Sequence, residues 1–119
     1  MRQKLEKELD RAVRRIVLLR DKNCITCSCG LDTWNATPGH FFKRRHRCTR
    51  WNLKNVNGQC VTCNTKDDDA VYRQAMIFIY GQAVVDDLEY RAHQSCKYST
   101  TELKELLQYF KDYERINFG

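Results

Sequence analysis

Asn55-Val56-Asn57-Gly58-Gln59-Cys60-Val61-Thr62-Cys63-Asn64 and, upstream, Cys24-Ile25-Thr26-Cys27 decide the fold. Each stretch contains a C-x-x-C pair, and 32 residues separate Cys27 from Cys60. Two residues between thiols let both sulfurs of a tight turn reach one tetrahedral ion, and two such knuckles complete a four-sulfur shell. A lone C-x-x-C suits redox chemistry equally well, whereas two pairs flanking a loop-rich segment point to metal. Cys24, Cys27, Cys60 and Cys63 are therefore the expected ligands of one structural Zn²⁺. Cys29 lies close enough in sequence to replace Cys27. A closed thiolate shell has no open position, so this zinc is expected to hold the fold and do no chemistry. Cys48 and Cys96 have no partner at ligand spacing and read as buried spare thiols.

On either side of this segment the chain is helical. Residues 2–20 place Leu5, Leu9, Ala12, Val13, Ile16 and Leu19 on one face at 3.6 residues per turn. Lys4, Lys7, Arg11, Arg14 and Arg15 fall opposite, with Glu6, Glu8 and Asp10 at the margins. That cationic face is either a solubilising surface or a tracker of phosphates. Within residues 21–64 helical periodicity vanishes. Segments 31–36 and 39–43 flank Thr37-Pro38 and read as a short hairpin turning near Pro38-Gly39. Helix returns from about Asp67, and Val71, Met76, Phe78, Ile79 and Tyr80 read as a largely buried apolar segment. Gly81 ends that helix, 82–94 forms the next, and Ser99-Thr100-Thr101-Glu102 has the form of a capping box for a last helix reaching about Ile116. Leu103, Leu106, Leu107, Phe110 and Tyr113 are its core stripe. The chain reads as one α+β, mainly helical domain over 1–119: a basic helix (1–22), a zinc-stapled finger (23–80) and a helical C-terminal part (81–119).

Charge narrows the class of partner. The chain has 21 Lys+Arg against 15 Asp+Glu, a net charge of +6. Residues 43–54, KRRHRCTRWNLK, carry six cations and no acid. A polyanion is the natural partner for such a block. No stretch is long and apolar enough to span a bilayer, and no signal peptide is visible. The expectation is a soluble cytoplasmic protein, and in a reducing compartment seven cysteines speak for metal ligation over disulfides.

Between the knuckles lie Gly39-His40 and then Asn55, and Asn64 follows the last cysteine directly. This order of His, Asn and Asn resembles the ββα-metal, or HNH, nuclease finger. The run CITC, PGHF, NVNGQCVTCN and VYRQAMIFIYGQAVVDDLE, over about residues 24–90, resembles the lambdoid phage NinG recombination endonuclease family. The knuckle spacing and C-x-x-C-N ending are similar to those of endonuclease VII-type junction resolvases. The resemblance implies a DNA endonuclease of branched recombination intermediates, in the cytoplasm of a phage's host, cutting junctions as a possible homodimer. His40 would be the general base, since imidazole titrates near neutrality. Asn64 would offer a hard amide oxygen to Mg²⁺ or Mn²⁺. Asn55 would hold the loop and orient the His40 side chain.

The sequence departs from the HNH pattern at one place. Many HNH fingers put a metal-binding Asp or His directly before the catalytic His, where this chain has Gly39. Asp68, four residues after Asn64 and so on the same face of a continuous helix, is one candidate to complete the metal shell. His46 is another. Lys43, Arg44, Arg45, Arg47 and Arg50 leave the site as a phosphate-clamping loop, joined by Arg11, Arg14 and Arg15. Trp34 and Trp51 either stack on an unpaired base or pack over the zinc core. Two rival functions share the knuckles and the charge without needing His40 or Asn64. One is a non-catalytic zinc-containing DNA-binding or regulatory protein, the other a zinc-stabilised protein-interaction adaptor.

Overall fold

The computed structural model describes residues 1–119. Helix α1 (Arg2–Arg20) is followed by strands β1 (Ala36–His40) and β2 (Val56–Cys60), then α2 (Val61–Lys66), α3 (Asp69–Tyr80), α4 (Gln82–Ala92) and α5 (Thr100–Phe118). The chain is thus mainly helical α+β, with one two-stranded antiparallel sheet.

The apolar stripe of α1 does what its spacing dictates. Leu5, Leu9, Ala12, Val13, Ile16 and Val17 are buried against Leu103, Leu107 and Phe110 of α5, with Trp51 and Val56 closing the cluster. Leu19, assigned to that stripe by periodicity, lies at the end of the helix and is exposed. The Ser99–Glu102 capping box forms in both directions and starts α5. A second, smaller core gathers Phe41, Tyr72, Met76, Val85 and Leu88.

The expected hairpin around Thr37-Pro38 does not form. Both residues lie inside β1, which pairs with β2 in the register Ala36↔Cys60 to His40↔Val56. In a two-stranded sheet every strand is an edge, so the missing N–H of Pro38 can face away from the ladder at no cost. β2 is buried along its whole length. It is fastened to the end of α1, where Asp21 accepts from the Gly58 N–H at 2.7 Å and Arg20 donates to the carbonyls of Leu53 (2.7 Å) and Val56 (3.0 Å). A side chain at Gly58 would strike Leu31 and Asp21, so this crossing requires glycine.

The apolar run of α3 is also turned differently from expectation. Tyr72 and Met76, four residues apart, face inward. Val71, Phe78 and Ile79 are exposed, because they lie off the side of the helix that meets α4 and the strands. Gly81, at φ 93°, ends α3 and opens α4.

The basic loop between the strands hangs on Asn55, which is fully buried. Its Oδ1 accepts from the Phe42 N–H at 2.8 Å, and its Nδ2 donates to the carbonyls of Phe42 (3.0 Å) and Thr49 (3.1 Å). Asn55→Ala would leave the N–H and the carbonyl of Phe42 without partners and would take from the Thr49 carbonyl one of its two donors, the other being the Asn52 N–H. Urea denaturation of that variant is expected to show a loss of about 2–4 kcal/mol. A change below about 0.5 kcal/mol would mean that other contacts hold the loop.

Cys48 and Cys96 are not spare thiols: they form a disulfide, with Cα atoms 5.3 Å apart, that ties the basic loop to the α4–α5 connector. The pairing joins residues 48 positions apart, a relation no local spacing announces.

Candidate functional site

Four cysteine sulfurs, those of Cys24, Cys27, Cys29 and Cys60, all lie within 4.8 Å of one another. A tetrahedral ion with Zn–S bonds of about 2.3 Å requires sulfurs about 3.8 Å apart. The Cys27–Cys60 separation is 3.8 Å. The donor chemistry and spacing therefore fit a structural zinc. Cys29 joins Cys27 in the group instead of replacing it, and Cys63, the expected fourth ligand, stands beside the four. The Cys63 N–H donates to the Cys60 sulfur at 3.4 Å, and its thiol lies against Cys60, Cys27 and Cys24. The thiols polarise one another. Burial opposes ionisation of Cys24, but N–H groups of Cys27 and Cys60 and the Thr26 residue outweigh it and bring the thiol down to about 6. The Cys63 N–H likewise lowers Cys60. Hydrogen bonding to Cys27 pushes Cys29 up to about 12, and burial does the same to Cys63. Thiolates this crowded need a cation among them before all can ionise.

A cleft of about 470 Å³ lies between α1, β1, the loop that follows β1, and α2. His40 and Asn64 both line it, with Asp10, Arg11, Arg14, Lys43 and Arg44. His40 occupies the last position of β1, and its Nε2 lies 3.1 Å from the Arg50 carbonyl. Burial holds its pKa below the ordinary value, against the Arg50 carbonyl and the Asp10 charge, which favour the protonated ring. A carbonyl can only accept, so in the neutral ring the proton sits on Nε2 and Nδ1 keeps a lone pair. Asn64 donates its Nδ2 to Thr37 Oγ1 at 3.1 Å, which leaves the amide oxygen unengaged.

Several expected site residues stand elsewhere. Asn55 reaches Phe42 and Thr49 and makes no hydrogen bond to the His40 ring; it shapes the loop that presents the Arg50 carbonyl. Asp68 does not line the cleft. Asp67, at φ 53°, breaks the helix between Asn64 and Asp68, and the Asp68 carboxylate caps α3 by accepting from Val71. His46 bonds the Ala92 carbonyl through Nδ1 at 3.1 Å and packs near His93, also away from the cleft. A side chain at Gly39 would have to displace the Gln59 side chain, whose amide occupies the place where its Cβ would go.

The basic loop is partly neutralised from within. Arg47 pairs with Glu6 (3.0 Å), Arg50 with Glu6 (3.2 Å) and Asp10 (2.7 Å), and Arg44 with Asp10 (3.6 Å). Lys43 pairs with Asp67, and Arg15 with Glu114 at 3.1 Å. Arg11, Arg14 and Arg45 carry no such partner. Trp51 is core, and its Nε1 donates to Asp10 at 2.9 Å. Trp34 is 91% exposed and packs over nothing.

The sequence reading missed Asp10 as a site residue. It is the one acid lining the cleft, and through Arg50 it fixes the carbonyl that holds His40. An acid at the margin of the apolar stripe of α1 was the only local signal.

No helix is long and apolar enough to cross a membrane. Protein ninG of Escherichia phage lambda is 32% identical to this chain over 111 residues, covering 84% of this chain and 50% of that protein. The chain thus spans about half the length of that relative. No solved structure matches it. Residues 1–116 match the family described as Bacteriophage Lambda NinG protein, and with almost the whole chain covered the protein belongs to that family.

Proposed function

We propose that the protein is a divalent-metal-dependent DNA endonuclease whose β1, β2 and α2 form an HNH-type, ββα-metal finger stapled by zinc. One observation carries this reading: His40 and Asn64, from different elements, line a single cleft with Arg11 and Arg14 on its opposite wall. His40 Nδ1 accepts a proton from the water that attacks the scissile phosphorus. The Nε2–H bond to the Arg50 carbonyl keeps the ring in place and strengthens as it gains charge. Arg11 and Arg14 hold the phosphate by charge. A bound Mg²⁺ or Mn²⁺ supplies Lewis-acid stabilisation of the departing oxygen. Asn64 would hold that ion through its amide oxygen, a hard donor suited to either metal. The cleft offers one carboxylate, Asp10, already engaged by Arg50 and Trp51, so most of the remaining ligands would come from phosphate and water. The ion is therefore expected to bind weakly alone and tightly with DNA.

Branched recombination intermediates are the substrate suggested by the resemblance to junction resolvases. A homodimer would bring two such clefts to the two strands of a junction. The test is incubation of the zinc-loaded protein with labelled four-way junction and matched duplex, with Mg²⁺ or Mn²⁺ and without either. Cleavage that requires the added ion is expected. Intact substrate under both metals would overturn the assignment.

The cations differ in what they should do. Arg14→Ala is expected to weaken binding to all DNA sequences alike and to make the slope of log K against log salt shallower by about 0.9. An unchanged slope would remove Arg14 from the DNA surface.

A further inference from the structure

Trp34 is the most exposed large apolar side chain in the molecule, at 91%, yet it stands on one of its most tightly bonded turns. The Asp32 carboxylate accepts from the N–H groups of Trp34 (2.8 Å) and Asn35 (2.9 Å). Asn35 accepts from the Asp32 N–H at 2.8 Å and donates to the Gly30 carbonyl at 3.0 Å. The Asn35 carbonyl in turn takes the Val61 N–H at 2.9 Å, which joins the turn to the start of α2. The backbone is fixed while the indole touches no other aromatic ring and joins neither core. A tryptophan left in water contributes little to folding. A rigid mount for a flat apolar face suits a flat apolar ligand.

The surroundings identify that ligand. Arg14 lines the His40 cleft and also a neighbouring depression lined by Lys22, Thr33 and Ala36 at the foot of the same turn. Neither Arg14 nor Lys22 has an ion-pair partner. Asp21 and Asp32, the acids in that depression, are occupied by Arg20, Gly58 and the turn itself. Arg14 and Lys22 thus place unpaired positive charge in the cleft and in the depression at the foot of the turn that carries Trp34. β1 spans the interval between the two, from Ala36 to His40. At about 3.3 Å per residue the strand is roughly 13 Å long.

We propose that Trp34 is a base-stacking residue, which engages an unpaired nucleobase on the strand whose phosphate lies at His40 and so favours DNA with an open or branched segment over continuous duplex. The proposal rests on the endonuclease reading and deepens it. Bases inside a duplex are already stacked and offer the indole no face, whereas unpaired bases do. Stacking tolerates any base sequence, so the preference should follow DNA structure and not sequence.

The test uses zinc-loaded His40→Ala protein, so that substrate stays intact, and measures binding to a splayed fork and to a duplex of equal length. Adding Trp34→Ala is expected to weaken fork binding by roughly 5- to 150-fold, while duplex binding changes by less than about twofold. Trp34→Phe should restore most of the difference. Trp51 is 5% exposed and out of reach of a stacking base, so the fork should quench indole fluorescence where the duplex does not, and the quench should be lost in Trp34→Phe. Equal losses on fork and duplex, or fork affinity within twofold of the parent, would overturn the stacking role and leave the nuclease reading standing. If the parent binds neither DNA even at low salt, both fall together.

Discussion

Replacement of His40 by alanine is expected to slow DNA cleavage by about 10²–10⁴-fold while DNA affinity changes by less than about threefold. The ring supplies the only imidazole in the cleft. Its Nδ1 is the basic atom left free once Nε2 is committed to the Arg50 carbonyl. The rate in wild type should also depend on pH in a defined direction. Burial depresses the His40 pKa, so the neutral, proton-accepting form accumulates as pH rises through a value below the ordinary one near 6.5. Cleavage should therefore climb from acid pH and be level by neutrality, with the climb absent from the residual activity of His40→Ala. Single-turnover rates on a labelled junction from pH 5 to 8 check both. If the variant cleaves at the wild-type rate, His40 is not the base.

Removal of zinc is expected to have the largest effect on the fold. Structural zinc contributes apparent free energies of about 10–16 kcal/mol in small domains, against a net stability of about 5–15 kcal/mol. Here the ion would join the segment before β1 to the end of β2, through Cys24, Cys27, Cys29 and Cys60. Without it the crowded thiols have nothing to neutralise them, and the two strands that carry the cleft lose their staple. Cys60→Ser, or stripping with a chelator under reducing conditions, should abolish cooperative thermal unfolding and cleavage together. Zinc released by the folded protein should titrate at one ion per chain. An unchanged melting curve after complete zinc removal would show that the helical core alone holds the domain.

Local signals in the sequence were legible where structure is made locally. The stripe of α1, the break at Gly81 and the capping box at Ser99 each rest on neighbours within about one helical turn, and each appears in the structure. Features made by distant partners were not. Pro38-Gly39 looks like a turn because turns favour those residues, but the strand partner lies twenty positions away at Gly58. The composition of the apolar run of α3 does not say which stripe meets a neighbour: Tyr72 and Met76 are buried and Ile77 and Tyr80 pack against that core, while Val71, Phe78 and Ile79 face outward. The cationic loop looked uniformly available because the acids that neutralise Arg47 and Arg50 sit some forty residues upstream, at Glu6 and Asp10. The pairing of Cys48 with Cys96 has the same origin. That His40 and Asn64 meet and that the cysteines gather could be read from motif order, and the two do line one cleft beside a four-sulfur cluster. Asp10 could not, since its role exists only where α1 crosses the loop.

That crossing bears on how the protein can be divided. Asp10, Arg11, Val13 and Arg14 supply an entire flank of the cleft, and Val13 also belongs to the core with Trp51 and Val56. A fragment beginning after α1 would keep its sulfurs but lose the wall facing the histidine, and would bare the underside of the second strand to water. The cleft therefore belongs to the leading helix as much as to the two strands, and they can only be truncated or transplanted as one unit.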